Sequence, residues 1–284
     1  MTKWKYYNHA MVPDQPPHIP VETSKIEDGS VFCTSGGEKP MFARWTEGWD
    51  LSQETHWWYC IKDNDWQYQT ASKRCQYFIR KADRYFDTRI INPLEYIKQM
   101  YAVQNKAFES WPAKYRPPFE TYEHFSEVWH QCPDIVRVFG SFVKDTDNLV
   151  GYAIVNQHPS YAILCSVRVI SEHENHGINF ALVSAILKHF EPNFKYSFYI
   201  NDGARNILHE TNYQSYLEKY FGFHKAYCKL HIKYHPKVDK LINLLYPFRK
   251  IFTLFDFIGR VHQLNAVLKM EEICRLDKDV KCSD

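Results

Sequence analysis

The chain of 284 residues is long for one compact domain and short for two, since domains commonly run about 100–150 residues. At 45% hydrophobic it can bury a core, and a net charge of +2 excludes a protein that coats nucleic acid over its whole surface. No apolar run approaches the roughly 18–20 residues of a membrane span, and the first residues lack an export signal's apolar stretch, so a cytoplasmic protein is expected.

Residues 1–30 hold four prolines (Pro13, Pro16, Pro17, Pro20) and little periodicity, which predicts an extended arm. Six of the eight tryptophans fall within the first 70 residues, and strand-like pieces follow the arm at 31–33, 41–45 and 55–61. Residues 70–85 read as a helix with Tyr77, Phe78, Ala82 and Tyr85 apolar and Lys73, Arg74, Arg80, Lys81 and Arg84 charged. Asn92, Pro93 and Glu95 spell a helix start, and Ile97, Met100, Tyr101 and Phe108 recur on one face after it. A second helix is predicted over 121–131.

The period then switches to two. Strands are predicted at 135–143, 149–155 and 161–170, the first pair joined by the turn at 144–148. A helix over 178–190, a strand over 194–200 and a broken helical stretch follow, with Thr211 to Gln214 restarting the helix and Gly222 ending it. The last predicted strand is 225–234. Eight cysteines stand singly with no metal-ligand spacing, so they read as reduced, mostly buried thiols and no metal is expected.

The order from 95 to 234 is helix, helix, three meandering strands, helix, strand, helix, strand. Together with YAILCSVRVI at 161–170, SEHENHG at 171–177 and YLEKYFGF at 216–223, it resembles the GNAT acyltransferase superfamily. The resemblance implies an α/β (α+β) fold, a mixed, mostly antiparallel sheet flanked by helices, with acetyl-CoA as acyl donor. It also implies a pyrophosphate held by bare amides at the turn after the fourth strand, where a helix dipole favours an anion. The positions it points to are Val169 and Ile170 for the thioester carbonyl, Glu174, Asn175, His176, Gly177, Ile178 and Asn179 for the pyrophosphate, and Asn206 for the coenzyme.

Of the family's Arg/Gln-x-x-Gly-x-Gly/Ala pattern only Gly177 survives; Glu174 adds negative charge and Asn179 adds bulk. His173 and His176 offset that charge if protonated. The family's proton-donating Tyr would fall at Glu218, so Tyr216 or Tyr220 takes that role after a shift of two residues, with Tyr213 a third candidate. His209 and Glu210, beside the helix break, are the candidate bases for an attacking amine. Asp202 reads as a helix cap.

A second motif, SKRCQYFIRKA at 72–82, resembles a helix of the Fem-type peptidyltransferases, paired GNAT-like proteins that take amino acids from aminoacyl-tRNA. That resemblance implies a truncated first domain and a basic groove through Arg74, Arg80, Lys81 and Arg84. The expected division is 1–90, an aromatic N-terminal subdomain; 91–236, the GNAT-like domain; and 237–284, a helical C-terminal extension. Residues 219–260 carry seven Lys and two Arg against Asp239 and Asp256, and 238–260 is rich in Leu, Ile and Phe. This tail reads as a pair of packed helices, a homodimer contact or a peripheral membrane contact.

The expected activity is an acyl-CoA-dependent N-acyltransferase whose partner is a small-molecule amine or a cell-envelope precursor. Its alternatives are an aminoacyl-tRNA-dependent transferase and a GNAT scaffold kept only for interaction.

Overall fold

The computed structural model describes residues 1–113, 116–207 and 212–282. In chain order come β1 (Trp4–Tyr7), β2 (Ala10–Pro13), α1 (Ser24–Glu27), β3 (Phe42–Glu47) and β4 (Trp57–Lys62). Next are α2 (Lys73–Tyr85), β5 (Phe86–Ile91), α3 (Ile97–Glu109) and α4 (Tyr122–His130). The meander β6 (Val136–Val143), β7 (Leu149–Gln157) and β8 (Tyr161–Val169) leads to α5 (Ile178–Phe190), β9 (Tyr199–Ala204), α6 (Tyr213–Phe221) and β10 (His224–Tyr234). The chain ends in α7 (Pro236–Leu245), α8 (Arg249–Phe252) and α9 (Gly259–Leu276).

Packing divides the chain into two compact units. One gathers Met1–Tyr59, Ala204–Asn212 and Lys225–Asp284; the other gathers Cys60–Gly203 and Tyr213–His224. This grouping differs from the sequential division expected at 90/91 and 236/237. The reason within the first unit is β10, which pairs antiparallel with β3 from Lys229↔Glu47 to Tyr234↔Phe42 and so joins the chain's two ends in one sheet.

In that first unit β1 and β2 form a hairpin closed by Asn8 and His9, both at positive φ, as a two-residue turn demands. The proline-rich arm thus begins with a hairpin. The segment expected as a strand at 31–33 is instead a 3₁₀ turn, Ser30–Phe32. Side chains alternate across the sheet: Ala10 and Phe42 face a core with Trp57, Leu230, Tyr234, Leu268 and Ile273, whereas Met11 and Ala43 face Ile26 and Val31. Residues 237–284 are therefore part of a core, not an appendage.

In the second unit β5, β6, β7 and β8 are antiparallel neighbours and β9 adds in parallel to β8. α3 and α4 cover one face with Met100, Val103, Phe125 and Trp129 packed on Val138, Phe142 and Tyr152. α5 covers the other, and Gly151 leaves the space that the Ile178 side chain fills. α2 packs on the outside of α5, with Phe78 stacked on Phe180 at 4.9 Å. The predicted cap at Asn92 forms a turn, its Oδ1 accepting from Leu94 N, and the helix begins later at Ile97.

Candidate active site

β8 and β9 part company within the second unit. They pair at Tyr161↔Tyr199, Ala162↔Ile200 and Ile163↔Asn201, and no later pair forms among the described residues. The cause sits on the other edge of β8. Its register against β7 jumps from Ile154↔Ser166 to Val155↔Leu164, so Cys165 is an extra residue, and a bulge there bends the strand. The result is a fork between β8 and β9.

The amide of Ile170 donates to Val150 O at 3.0 Å and is committed to β7. Alternation in an antiparallel pair then turns the N–H of Val169 away from β7 and into the fork. Of the two residues expected to hold a carbonyl oxygen, Val169 has the geometry and Ile170 does not.

Beyond the fork, Ser171–His176 form a 3₁₀ turn whose amides are partly spent internally: His173 N donates to Ile170 O and Gly177 N to Glu174 O. Gly177 has φ 88°, and a Cβ there would meet Phe78 O of α2 at 3.1 Å. Lys81 Nζ donates to Asn175 O at 2.6 Å, and Tyr85 stacks on His176 at 4.2 Å. Glu174 and Asn175 are exposed, Asn179 is half-buried and Ile178 is fully buried. Burial, then the neighbouring His176, lowers the pKa of His173, which opposes the protonation that would offset Glu174.

Acetyl-CoA is the donor the resemblance implies, and this turn offers its pyrophosphate only part of the family's pattern. The backbone of α2 lies against Gly177, an acid stands where an Arg or Gln should, and burial lowers the pKa of the His173 imidazole.

At the far arm of the fork, β9 continues three residues, to Ala204, beyond its last pair with β8. Asn201 Oδ1 accepts from Gly203 N at 2.8 Å, and Gly203 sits at φ 97°. Between them lies Asp202, which the sequence reading placed as a helix cap; no helix starts there because residues 199–204 are strand. Burial pushes its carboxyl up to about 7, against the lowering effect of a hydrogen bond from Gln214. A carboxyl that titrates near neutrality is a proton acceptor matched to an amine nucleophile. Sequence alone missed it.

On α6 the hydroxyls of Tyr213 and Tyr216 are buried without a hydrogen-bond partner. Burial first, then the nearby Asp202, raises the Tyr213 phenol well above its ordinary value; burial, then Tyr213, does the same to Tyr216. Tyr216 packs edge-on to Phe180 at 5.1 Å, and Tyr220 approaches the same ring at 5.1 Å. Leu217 and Phe221 are buried with them, so the tyrosine stripe is also core. His209 and Glu210 lie outside the described residues, and Asn206 is exposed in the first unit.

α2 explains its own placement. Ser72 caps it by accepting from Cys75 N, and Cys75, Ile79 and Ala82 are its buried stripe. Its other side lines a cleft of about 290 Å³ formed by Tyr77, Arg80, Lys81, Arg84 and Tyr85, in which Arg80 donates to Tyr68 Oη at 2.9 Å.

Residues 97–223, from the first turn of α3 to just past α6, match the model of the acetyltransferase (GNAT) family. No curated protein matches the chain in sequence. Among solved structures it is similar to the ribosomal-protein-S18-alanine N-acetyltransferase of Escherichia coli, at 13% identity over 38% of this chain and 60% of that one, TM-score 0.29. The match thus spans less than two thirds of that enzyme's length. It is also similar to the L-PGS of Bacillus licheniformis, at 8% identity over 82% and 80% of the two chains, TM-score 0.45. A tandem GNAT protein from the clavulanic acid biosynthesis pathway aligns at 14% identity over 79% and 75%, TM-score 0.43. The chain therefore carries, at residues 97–223, a domain of the acetyltransferase (GNAT) family.

Proposed function

We propose that the chain is an N-acyltransferase that moves an acyl group onto an amine at the β8/β9 fork, and that its donor is carried by RNA rather than by coenzyme A. The observation that supports this reading is the position of α2, which lies against the turn at Gly177, spends Lys81 on Asn175 O and exposes Arg80 and Arg84 beside two exposed tyrosines. Cations interleaved with aromatic rings suit a phosphate backbone with unstacked bases.

The chemistry asked of the fork is modest. The amine nitrogen attacks the acyl carbon, its proton passes to the Asp202 carboxylate, and the N–H of Val169 holds the oxygen as charge gathers on it. The new bond is C–N; the bond lost is the ester C–O. The departing oxygen takes a proton from Tyr213 or Tyr216, which recovers one from the Asp202 carboxyl that accepted the amine's proton. Tyr213 and Tyr216, held neutral by burial, stay proton donors through the whole working pH range.

The test is thermal stability of the full chain with uncharged tRNA, acetyl-CoA or free coenzyme A. At 100 times its dissociation constant a ligand adds about 2.7 kcal/mol. The expected outcome is a shift with tRNA that shrinks in high salt and disappears in an Arg80→Ala, Arg84→Ala variant. A shift with acetyl-CoA alone returns the donor to coenzyme A; silence from all three removes the case for catalysis.

A further inference from the structure

The last third of the first unit exposes more apolar surface than a solvated helix tolerates. Leu244 is 67% exposed, Ile251 53%, Leu254 73%, Phe255 46% and Phe257 82%, all within a short stretch from the end of α7 to the start of α9. Isolated exposed leucines are ordinary; a run of large ones is not. The cause is visible in the backbone. Pro247 breaks the helix, and α7, the 3₁₀ turn Tyr246–Phe248, α8 and a second 3₁₀ turn Thr253–Phe255 follow in short pieces. Ile242, Tyr246 and Phe252 supply the inner side, packed with Trp57, Leu268 and Ile273, whereas Leu244, Ile251, Leu254, Phe255 and Phe257 are exposed.

Cations surround this tip. Arg249 is paired with Glu272 at 3.1 Å, but Lys237, Lys240, Lys250 and Arg260 make no ion pair among the described residues. Of the two acids nearby, Asp256 is held by His262 at 2.8 Å. No described helix is long and apolar enough to cross a membrane.

We infer that residues 241–258 seat this protein on an anionic phospholipid surface, the apolar tip in the interfacial layer and the four unpaired cations against lipid phosphates. A second copy of the chain is the poorer occupant. A two-fold interface would set the same patch against itself and bring those cations face to face, whereas anionic lipid complements them. The inference stands whether or not the fork transfers acyl groups. Each unpaired cation contributes roughly fivefold to partitioning onto such a surface.

The experiment is flotation of the full chain with vesicles of phosphatidylcholine alone or with about a third phosphatidylglycerol, next to its oligomeric state by light scattering. The expected result is binding to the anionic vesicles only, at least tenfold weaker in 0.5 M salt and at least tenfold weaker in a Leu254→Glu, Phe257→Glu variant. Both positions are exposed, and circular dichroism verifies that the variant folds; a Lys237→Glu, Lys250→Glu variant tests the charges without touching the tip. Binding to neither vesicle, equal binding to both, or a dimer dissolved by the same tip substitutions without vesicle binding overturns the inference.

Discussion

Asp202 works against the fold that holds it. Its carboxyl has a folded pKa of about 7 against an ordinary 3.8, because burial penalises the anion. A group whose pKa is raised on folding favours the protonated native state. That advantage is complete below about pH 4 and is lost as pH climbs through 7, so stability falls across this window with a slope of up to about 1.4 kcal/mol per pH unit. Asp202→Asn is therefore expected to flatten the dependence of urea midpoint on pH between 4 and 7 and to raise stability at pH 8 by about 2–4 kcal/mol. The same variant is expected to lose most of its transfer activity. A D202N protein that is no more stable at pH 8, or is as active as the parent, removes the carboxyl from the proposed role. Nothing in the local sequence separates this Asp from a helix cap: Asn201 and Gly203 on either side are turn formers, and only the strand's continuation to Ala204 buries the residue between them.

Where each face of an element meets one environment, the sequence was readable. The extents of α2, the β6–β8 meander and α5 follow from period, but the α2 stripe does not: Tyr77 and Tyr85, read as apolar with Ala82, are exposed, and Cys75 and Ile79 are buried beside Ala82 instead. The fork leaves no mark on composition, since a bulge at Cys165 is a register event between two strands. β5 was not read at all: Phe86–Ile91 alternates weakly and follows α2 with no intervening turn. The meeting of α2 with the turn before α5 was likewise hidden, and the proposed donor rests on it. Its weak point is Gly177. A side chain there faces both the positive φ, roughly 1–2 kcal/mol for a non-glycine residue, and the carbonyl of Phe78 at 3.1 Å. Gly177→Ala is expected to cost about 2–4 kcal/mol by denaturant titration, and to loosen α2 in hydrogen exchange before the β6–β8 meander opens. A loss below 0.5 kcal/mol with α2 protection unchanged would mean the two helices are not held at that point.

For the molecule as a whole, the chain's order in space is not its order in sequence. The first unit draws on three separated segments, and its core depends on the last of them. Leu268, Met270 and Ile273 of α9 are buried with Phe42, Trp57 and Leu230, and burying three such side chains stabilises by about 5–9 kcal/mol. Asp277, only 2% exposed, accepts from His56 N at 2.8 Å and from His56 Nδ1 at 2.7 Å, fastening the end of α9 to the start of β4. That sum rivals the 5–15 kcal/mol by which a typical domain is stable at all. A chain ending at Ile258 is therefore expected to lose the near-ultraviolet dichroism of Trp45, Trp49 and Trp57, and to be cut by trypsin at Arg44. The Asp277→Ala chain, which keeps α9 but frees His56, is expected to retain that signal and to unfold about 2–3 kcal/mol earlier. If the shortened chain keeps its aromatic signal and resists trypsin, the C-terminal segment is the appendage that its place in the sequence suggests, and the core described for the first unit is wrong.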